Sequence, residues 1–303
     1  MNGSTLVSIC IPAHNDAAVV AEAIRSARAQ AYAPLEIVIL DNASTDGTVD
    51  VAQRAGGNDA RVRYVQHPQD IGMAGNFSAC IAAAQGALVL ILCADDALEP
   101  GAVRALAQAL AQHPQAVLAA CGRKICDAQL RSLRVAKART RMEEVAGPDL
   151  MRECFARGNR IGEPSAVMFR RAAGLRGFSA EYSQLVDLEM WFHLLASGTA
   201  ILLPDALCRV RQHAGQLTAA NIRSARLLED KQRFFRQFAP RIAPRLSALD
   251  RLAWDARMAS SVARVRRAGA SGAGDAPDEV FHPAVFRTLL LPVVAAGWRL
   301  RGS

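Results

Sequence analysis

The chain has 303 residues, 51% of them hydrophobic, and a net charge of +8. That length can hold one large α/β domain or two modest ones with an ample core, and the apolar share excludes a disordered chain. Seven scattered cysteines, odd in number and without a CxxC pair, argue against a disulfide framework or a zinc site and for reduced thiols.

The N-terminus, Met1-Asn-Gly-Ser-Thr, lacks the basic region of a signal peptide, and no run reaches the roughly 18 apolar residues of a membrane span. A cytoplasmic protein is the expectation. Residues 6–11 read as a strand, 16–30 as a helix, 35–40 as a strand, and 45–55 as a helix with Ser44 or Thr45 as its cap. A strand at 62–67, a helix at 75–85, a strand at 87–92 and a helix at 100–112 continue the rhythm. Such alternation predicts an α/β fold, a mostly parallel sheet flanked by helices on both faces.

Past a strand at 117–120 the pattern loosens, and the basic segment 131–141 has no clear period. A helix at 149–157, an apolar strand at 165–169 and a helix at 187–197 follow. Residues 216–267 form a basic extension, in which 221–267 read as two helices parted by Pro240 and Pro244. Residues 268–280, rich in Gly, Ala and Asp, read as a flexible linker, and 281–303 as an apolar segment with basic residues at its end. The positive charge is local: residues 209–267 hold 14 Arg/Lys against four acids. A block of this kind favours an anionic surface: membrane phospholipid, a lipid diphosphate or nucleic acid. Joined to the apolar and basic last segment, it would suit docking on an anionic membrane through the C-terminal region.

Two strands carry the chemistry. The runs ending in Leu40-Asp41 and in Ala94-Asp95-Asp96 are continuously apolar until they meet carboxylates. Ligands of open α/β sheets bind outside the carboxyl ends of the strands, so Asp41, Asp95 and Asp96 are expected to converge on a divalent cation or sugar hydroxyls. The first strand turn reads Pro12-Ala-His-Asn-Asp16 and not GxGxxG, and no GxxxxGK[ST] loop occurs. The two commonest nucleotide readings of an α/β chain therefore lose their fingerprints.

In order along the chain, these motifs resemble the inverting family 2 glycosyltransferases of the GT-A fold. The likeness covers roughly residues 5–215 and rests on Val7-Ser-Ile-Cys-Ile-Pro-Ala-His-Asn15, Leu40-Asp-Asn-Ala-Ser-Thr-Asp-Gly-Thr48, Asp70-Ile-Gly72 with Asn76, and Leu92-Cys-Ala-Asp-Asp96. Gly162-Glu-Pro-Ser165, Val186-Asp-Leu-Glu-Met-Trp191 and Arg211-Gln-His213 complete it. The resemblance implies a GT-A-like domain over residues 1–215, its donor half about 1–120 and its acceptor half about 121–215. It implies transfer of a sugar from a nucleoside-diphosphate sugar to a hydroxyl of a saccharide or lipid-linked saccharide, in bacterial surface polysaccharide synthesis.

By that resemblance Asp187 is the general base, and Asp95, with His213 as a further ligand or a donor to the diphosphate, holds Mg²⁺ or Mn²⁺. Pro12, Ala13, His14, Asn15, Asp41, Gly72, Asn76, Ala94, Asp95 and Arg211 then line the nucleotide-sugar site, with Arg211 balancing phosphate charge. The chain departs from the family at Cys93, which stands where the first Asp of Asp-x-Asp belongs, and at Val186, which replaces a Glu. Beside these roles stand plainer ones: Asp46 as a turn and cap residue, Trp191 as core, Cys93 as a small buried apolar group. The rival functions are a catalytically degenerate scaffold and a nucleic-acid binder using the basic helices. With aromatics at 5% and no known binding motif, nucleic acid is not an expected partner.

Overall fold

The computed structural model describes residues 5–212, 221 and 224–267. His213 and the segments 268–280 and 281–303 lie outside the described residues. Two compact units divide the chain: Met1–Gly147 with Ile161–Ala180 and Val186–His213, and Pro148–Arg160 with Glu181–Leu185 and the residues from Ala214 onward.

The first unit is built on one sheet of ten strands: β1 (Val7–Ala13), β2 (Leu35–Asp41), β3 (Val62–Gln66), β4 (Leu88–Ile91), β5 (Ala97–Leu98), β6 (Ala116–Cys126), β7 (Ser132–Ala136), β8 (Glu143–Ala146), β9 (Val167–Arg170) and β10 (Thr199–Arg211). Its helices are α1 (Val20–Arg28), α2 (Thr48–Gly56), α3 (Gly72–Ala83), α4 (Ala102–Gln112), the short α6 (Arg171–Gly174) and α7 (Val186–Leu195), whereas α5 (Gly147–Arg157), α8 (Arg226–Ile242) and α9 (Ala248–Arg267) make up most of the described second unit. The main strand order is β3-β2-β1-β4-β9-β6-β10-β5. Neighbours β3, β2, β1 and β4 run parallel, as do β6 and β10, while β9 is antiparallel to both β4 and β6. The helix-flanked sheet expected from the alternating pattern is therefore present, parallel through β3-β2-β1-β4 and between β6 and β10 and antiparallel at its other pairings.

Burial explains why these segments are strands. Every residue of β1 is buried, and β2 is buried from Ile37 onward. Sealed on both faces, their β-branched side chains each contribute about 1.5–3 kcal/mol over leaving them exposed. Helix α4 buries Val103, Leu106 and Leu110, the one-sided spacing of a helix lying on a sheet. A glycine is required at position 86, where a Cβ would stand 2.8 Å from the Leu6 carbonyl oxygen. The register matters most for function: Ala13 pairs with Asp41, so β1 and β2 end flush at the same edge.

Several boundaries depart from the sequence reading. Helix α2 starts at Thr48, not at 45, and neither Ser44 nor Thr45 caps it. Asp46 Oδ1 accepts the Thr48 N–H at 3.0 Å and the Thr48 hydroxyl at 2.5 Å, which makes it the turn residue expected of it. The unassigned basic segment contains β7, whose residues are mostly exposed and whose register is lent by β6. Residues 199–211, where the sequence pattern predicts no strand, form the 13-residue β10. Its apolar run is broken by Pro204 and Asp205, where the ladder to β6 also slips. Pro240 sits inside α8 and does not part the two helices, because Phe234, Phe238 and Ile242 anchor the last turns; the break comes at residues 243–245.

The second unit has an aromatic core. Phe155 of α5 stacks on Trp254 of α9 at 4.2 Å and on Phe234 of α8 at 5.8 Å. Asp230 Oδ2 accepts the backbone N–H groups of Ser183, Gln184 and Leu185, which explains how a carboxylate only 3% exposed is tolerated. No helix among the described residues is long and apolar enough to cross a membrane.

Candidate active site

The flush ends of β1 and β2, and the segment that follows β4, carry the predicted residues. Pro12 and Ala13 close β1 beside Leu40 and Asp41. His14 Nδ1 lies 2.6 Å from the Asn42 carbonyl, while the backbone N–H of His14 donates to Asp16. Asn15, with φ of 57°, donates its N–H to Ser44 Oγ and accepts the Thr45 N–H on its side-chain oxygen, tying the two loops to each other. Asn76, buried in α3, donates to the Leu40 carbonyl at 3.4 Å. Gly72 opens that helix with φ of 73° and donates its N–H to Asp70.

A cavity of about 250 Å³ opens beside these strand ends, lined by Ala13, Asp41, Thr48, Tyr64 and Gln66 among others. Asp41 is 5% exposed; its Oδ2 accepts the Ser44 N–H, while its Oδ1 is buried without a hydrogen-bond partner among the described residues. A carboxylate has acceptor capacity on both oxygens, so among the described residues this one stays open to a donor.

Past β4 the chain places Cys93, Ala94, Asp95 and Asp96. One ligand atom each of Cys93, Asp95 and Asp96 lies within 4.8 Å of the others. They are not equivalent. Asp96 is 3% exposed and holds two partners: it accepts the Ser165 hydroxyl at 2.5 Å on Oδ2 and the Arg211 N–H at 3.0 Å on Oδ1. Burial, then Asp95, pushes its carboxyl well above the usual range. Burial also pushes the Cys93 thiol well up, with Asp96, Asp95 and Asp187 all adding to the shift, so the sulfur stays protonated and is a poor ligand for a hard cation. Asp95 supplies the remaining oxygen donor of the three, the hard ligand type that an oxygen-seeking ion prefers. The carboxyl oxygens of that side chain fit a hard cation such as Mg²⁺ or Mn²⁺.

Asp187 occupies the first turn of α7, its Oδ1 accepting the Leu188 N–H at 2.7 Å. Burial, then the charge of Glu163, raises its carboxyl to about 7, against a lowering by Arg123. Glu163 and Arg123 form an ion pair of their own. A carboxylate poised near neutrality beside the strand-end acids is equipped to take a proton.

A family model described as glycosyl transferase family 2 matches residues 8–174. The chain belongs to that family. An uncharacterised protein of Mycobacterium tuberculosis, MT1568, is 30% identical over 241 residues, covering 75% of this glycosyltransferase and 74% of its relative. Two solved structures share the fold. The mannosyltransferase PcManGT of Pyrobaculum calidifontis, in complex with GDP-Man and Mn²⁺, has a TM-score of 0.62 at 19% identity and covers 99% of this chain and 81% of its own. S. aureus TarS 1–349, in complex with UDP-GlcNAc, has a TM-score of 0.59 at 16% identity and covers 86% and 82%.

Within this family 2 glycosyltransferase, Arg211 is a brace. Its side chain is buried, with Nε donating to the Asp95 carbonyl at 2.7 Å, Nη1 to the Ala128 carbonyl and Nη2 to Glu22 of α1. It fixes the backbone that carries Asp95. Trp191 is core, fully buried, with its indole N–H donating to the Gly162 carbonyl at 3.0 Å. Glu189, in the same motif, is 1% exposed and held bidentately by Arg176 at 2.8 and 2.6 Å.

Sequence reasoning assigned no role to Asp16, Glu163 or Ser165. Asp16 receives the Thr48 hydroxyl oxygen as partner for its own N–H, and burial, aided by Asp95 and Asp46, lifts its carboxyl to about 6 against the His14 N–H. Ser165 joins two strand-end groups, donating to Asp96 and accepting the Cys93 N–H. Glu163 and Ser165 fall within Gly162-Glu-Pro-Ser165, one of the motifs that carry the family resemblance, so the signal was present; Asp16 had none beyond following Asn15.

Proposed function

We propose that the enzyme moves a sugar from a nucleoside-diphosphate sugar to a hydroxyl of a saccharide or lipid-linked saccharide, with inversion at the anomeric carbon, in the building of a surface polysaccharide. The observation that carries this reading is the convergence at one sheet edge of a base-sized cavity, a buried unpartnered carboxylate oxygen on Asp41, a metal-competent Asp95 and a near-neutral Asp187.

Asp41 Oδ1 accepts a ring N–H of the nucleobase, and Pro12, Ala13, His14 and Asn15 shape that end of the pocket. Asn76, whose side-chain oxygen is also buried without a partner, and Gly72 support the wall beyond Asp41. Asp95 and Ala94 face the diphosphate. A bound Mg²⁺ or Mn²⁺ would neutralise the charge developing on the leaving diphosphate. Asp187 removes the proton from the acceptor hydroxyl as that oxygen attacks, and Glu163 keeps the Asp187 carboxyl basic enough to do so. Arg211 acts by holding the Asp95 backbone. His213 is given no position. A cytoplasmic enzyme docked reversibly on the membrane through its basic C-terminal region suits a lipid-linked acceptor.

The test is a thermal-shift panel of UDP, dTDP, GDP and CMP, with and without Mn²⁺, on wild type and Asp95→Ala. A ligand at a hundred times its dissociation constant stabilises the fold by about 2.7 kcal/mol. One diphosphate acting only with metal, and not on the variant, supports the reading; silence across the panel favours a degenerate scaffold.

A further inference from the structure

The helices of the second unit hold a group of cations with no acid paired to them among the described residues. Lys231 of α8 donates to Ser261 Oγ of α9 at 2.7 Å, and its ammonium stands 6.0 Å from the centre of the Trp254 ring. Trp254, Arg257, Ser261 and Arg264 recur at intervals of three and four along α9 and so share one face of it. Among the described residues, Lys231, Arg257 and Arg264 form no ion pair. The acid adjoining Lys231 in sequence, Asp230, is taken up by three backbone N–H groups.

Two more observations point the same way. The Trp254 side chain is 5% exposed, and its indole N–H is buried with no acceptor among the described residues. Indole N–H is a donor only, so its complement has to be an acceptor. Gly158, at φ of +83°, leaves room for the Arg257 guanidinium: a Cβ there would stand 2.3 Å from Nη2. Among the described residues the cluster thus consists of an ammonium, two guanidinium groups and an indole N–H, with the Ser261 oxygen as the one acceptor given to it, and that oxygen already serves Lys231.

We propose that Lys231, Arg257 and Arg264, with Trp254, form a binding site for a phosphate dianion, separate from the nucleotide-sugar site. A planar carboxylate would satisfy one guanidinium and leave the other cations facing each other. A phosphate presents oxygens in several directions and carries up to two charges, enough to engage three cations on neighbouring helices. Burial and then the two arginines push the Lys231 amine down to about 7, a repulsion that a dianion relieves. The phosphate could belong to a lipid headgroup or to a soluble ligand, and the chemistry of recognition is the same.

The experiment uses the full chain in chelator-containing buffer at fixed ionic strength, so that metal-bound diphosphate at Asp95 contributes nothing. Inorganic phosphate and diphosphate are titrated while tryptophan fluorescence is followed, and in parallel the chain is sedimented with phosphatidylcholine vesicles with and without phosphatidic acid. The expected result is a saturable response to free phosphate or selective sedimentation with phosphatidic acid, weakened at least tenfold by Lys231→Gln and severalfold by Arg264→Gln, and unchanged by Asp95→Ala. Arg264 is exposed, so its variant reports on binding even where Lys231→Gln disturbs packing. No saturable response to any of the probes, or one that both variants retain, overturns the site. Because the donor pocket takes no part, failure here leaves the transferase reading standing, and silence in the nucleotide panel leaves this site standing.

Discussion

The strand-end site and the helical cluster handle charge in opposite ways. At the sheet edge, carboxylates crowd together, yet those that are buried are matched: Asp96 by Ser165 and the Arg211 N–H, Asp41 in part by Ser44. In the helical unit, Lys231, Arg257 and Arg264 share a neighbourhood without a carboxylate partner among the described residues. The first is the pattern of a preorganised site, where backbone and hydroxyl donors fix acids for a task. The second is a charge left uncompensated until something binds. Removing a charge should therefore do harm in one region and good in the other.

The largest effect is expected at Asp187. Asp187→Asn should lower kcat by about 10²–10⁴-fold with donor KM little changed, since a general base acts only in the transition state. A rate within threefold of wild type would remove Asp187 from the mechanism. Next, Asp41→Ala should raise donor KM by about 10–100-fold at nearly constant kcat, the loss of a charge-assisted hydrogen bond worth about 1.5–3 kcal/mol. Steady-state kinetics separate the two patterns.

The pH profile sharpens the same site. As the proposed base Asp187 would act ionised, and its carboxyl is raised to about 7, first by burial and then by Glu163. Below that pH, kcat/KM should fall by about tenfold per unit, with Glu163→Gln moving the inflection to lower pH. An inflection unmoved in that variant would show that Glu163 does not act on Asp187.

The stability predictions differ in sign. Ser165→Ala should destabilise the fold by about 1–3 kcal/mol in urea, because a buried Asp96 oxygen loses its partner. Lys231→Met, in phosphate-free buffer, should stabilise by about 1 kcal/mol by removing an unanswered cation. For Lys231 the folded value, about 7, lies below the ordinary 10.5, so between these values the unfolded chain binds more protons. Wild-type stability should accordingly rise with pH across that window relative to Lys231→Met, and equal slopes for the two proteins would contradict the arrangement.

Much of the catalytic half was legible because its signals are local. The apolar strand ending in Asp41 and the apolar strand that leads into Asp95-Asp96 mark both the sheet and its candidate binding edge, and both properties follow from residues adjacent in the chain. The same locality made Asp46 readable as a turn residue and Trp191 as core. Strand β7 was not legible, since its mostly exposed residues take their register from β6. Strand β10 was hidden by Pro204 and Asp205, which the sheet accommodates as an irregularity.

By itself, then, the sequence determined the family, the parallel core and the place of the acids, because these rest on periodicity and on short ordered motifs. Tertiary structure alone decided what each charged group faces. Arg211 meets Glu22 across 189 residues, Asp16 comes to lie beside Asp95, and Lys231 lies among arginines from a different helix. A carboxylate or an amine is set by its neighbours and its exposure to water, and chain spacing encodes neither once the contacts are long-range.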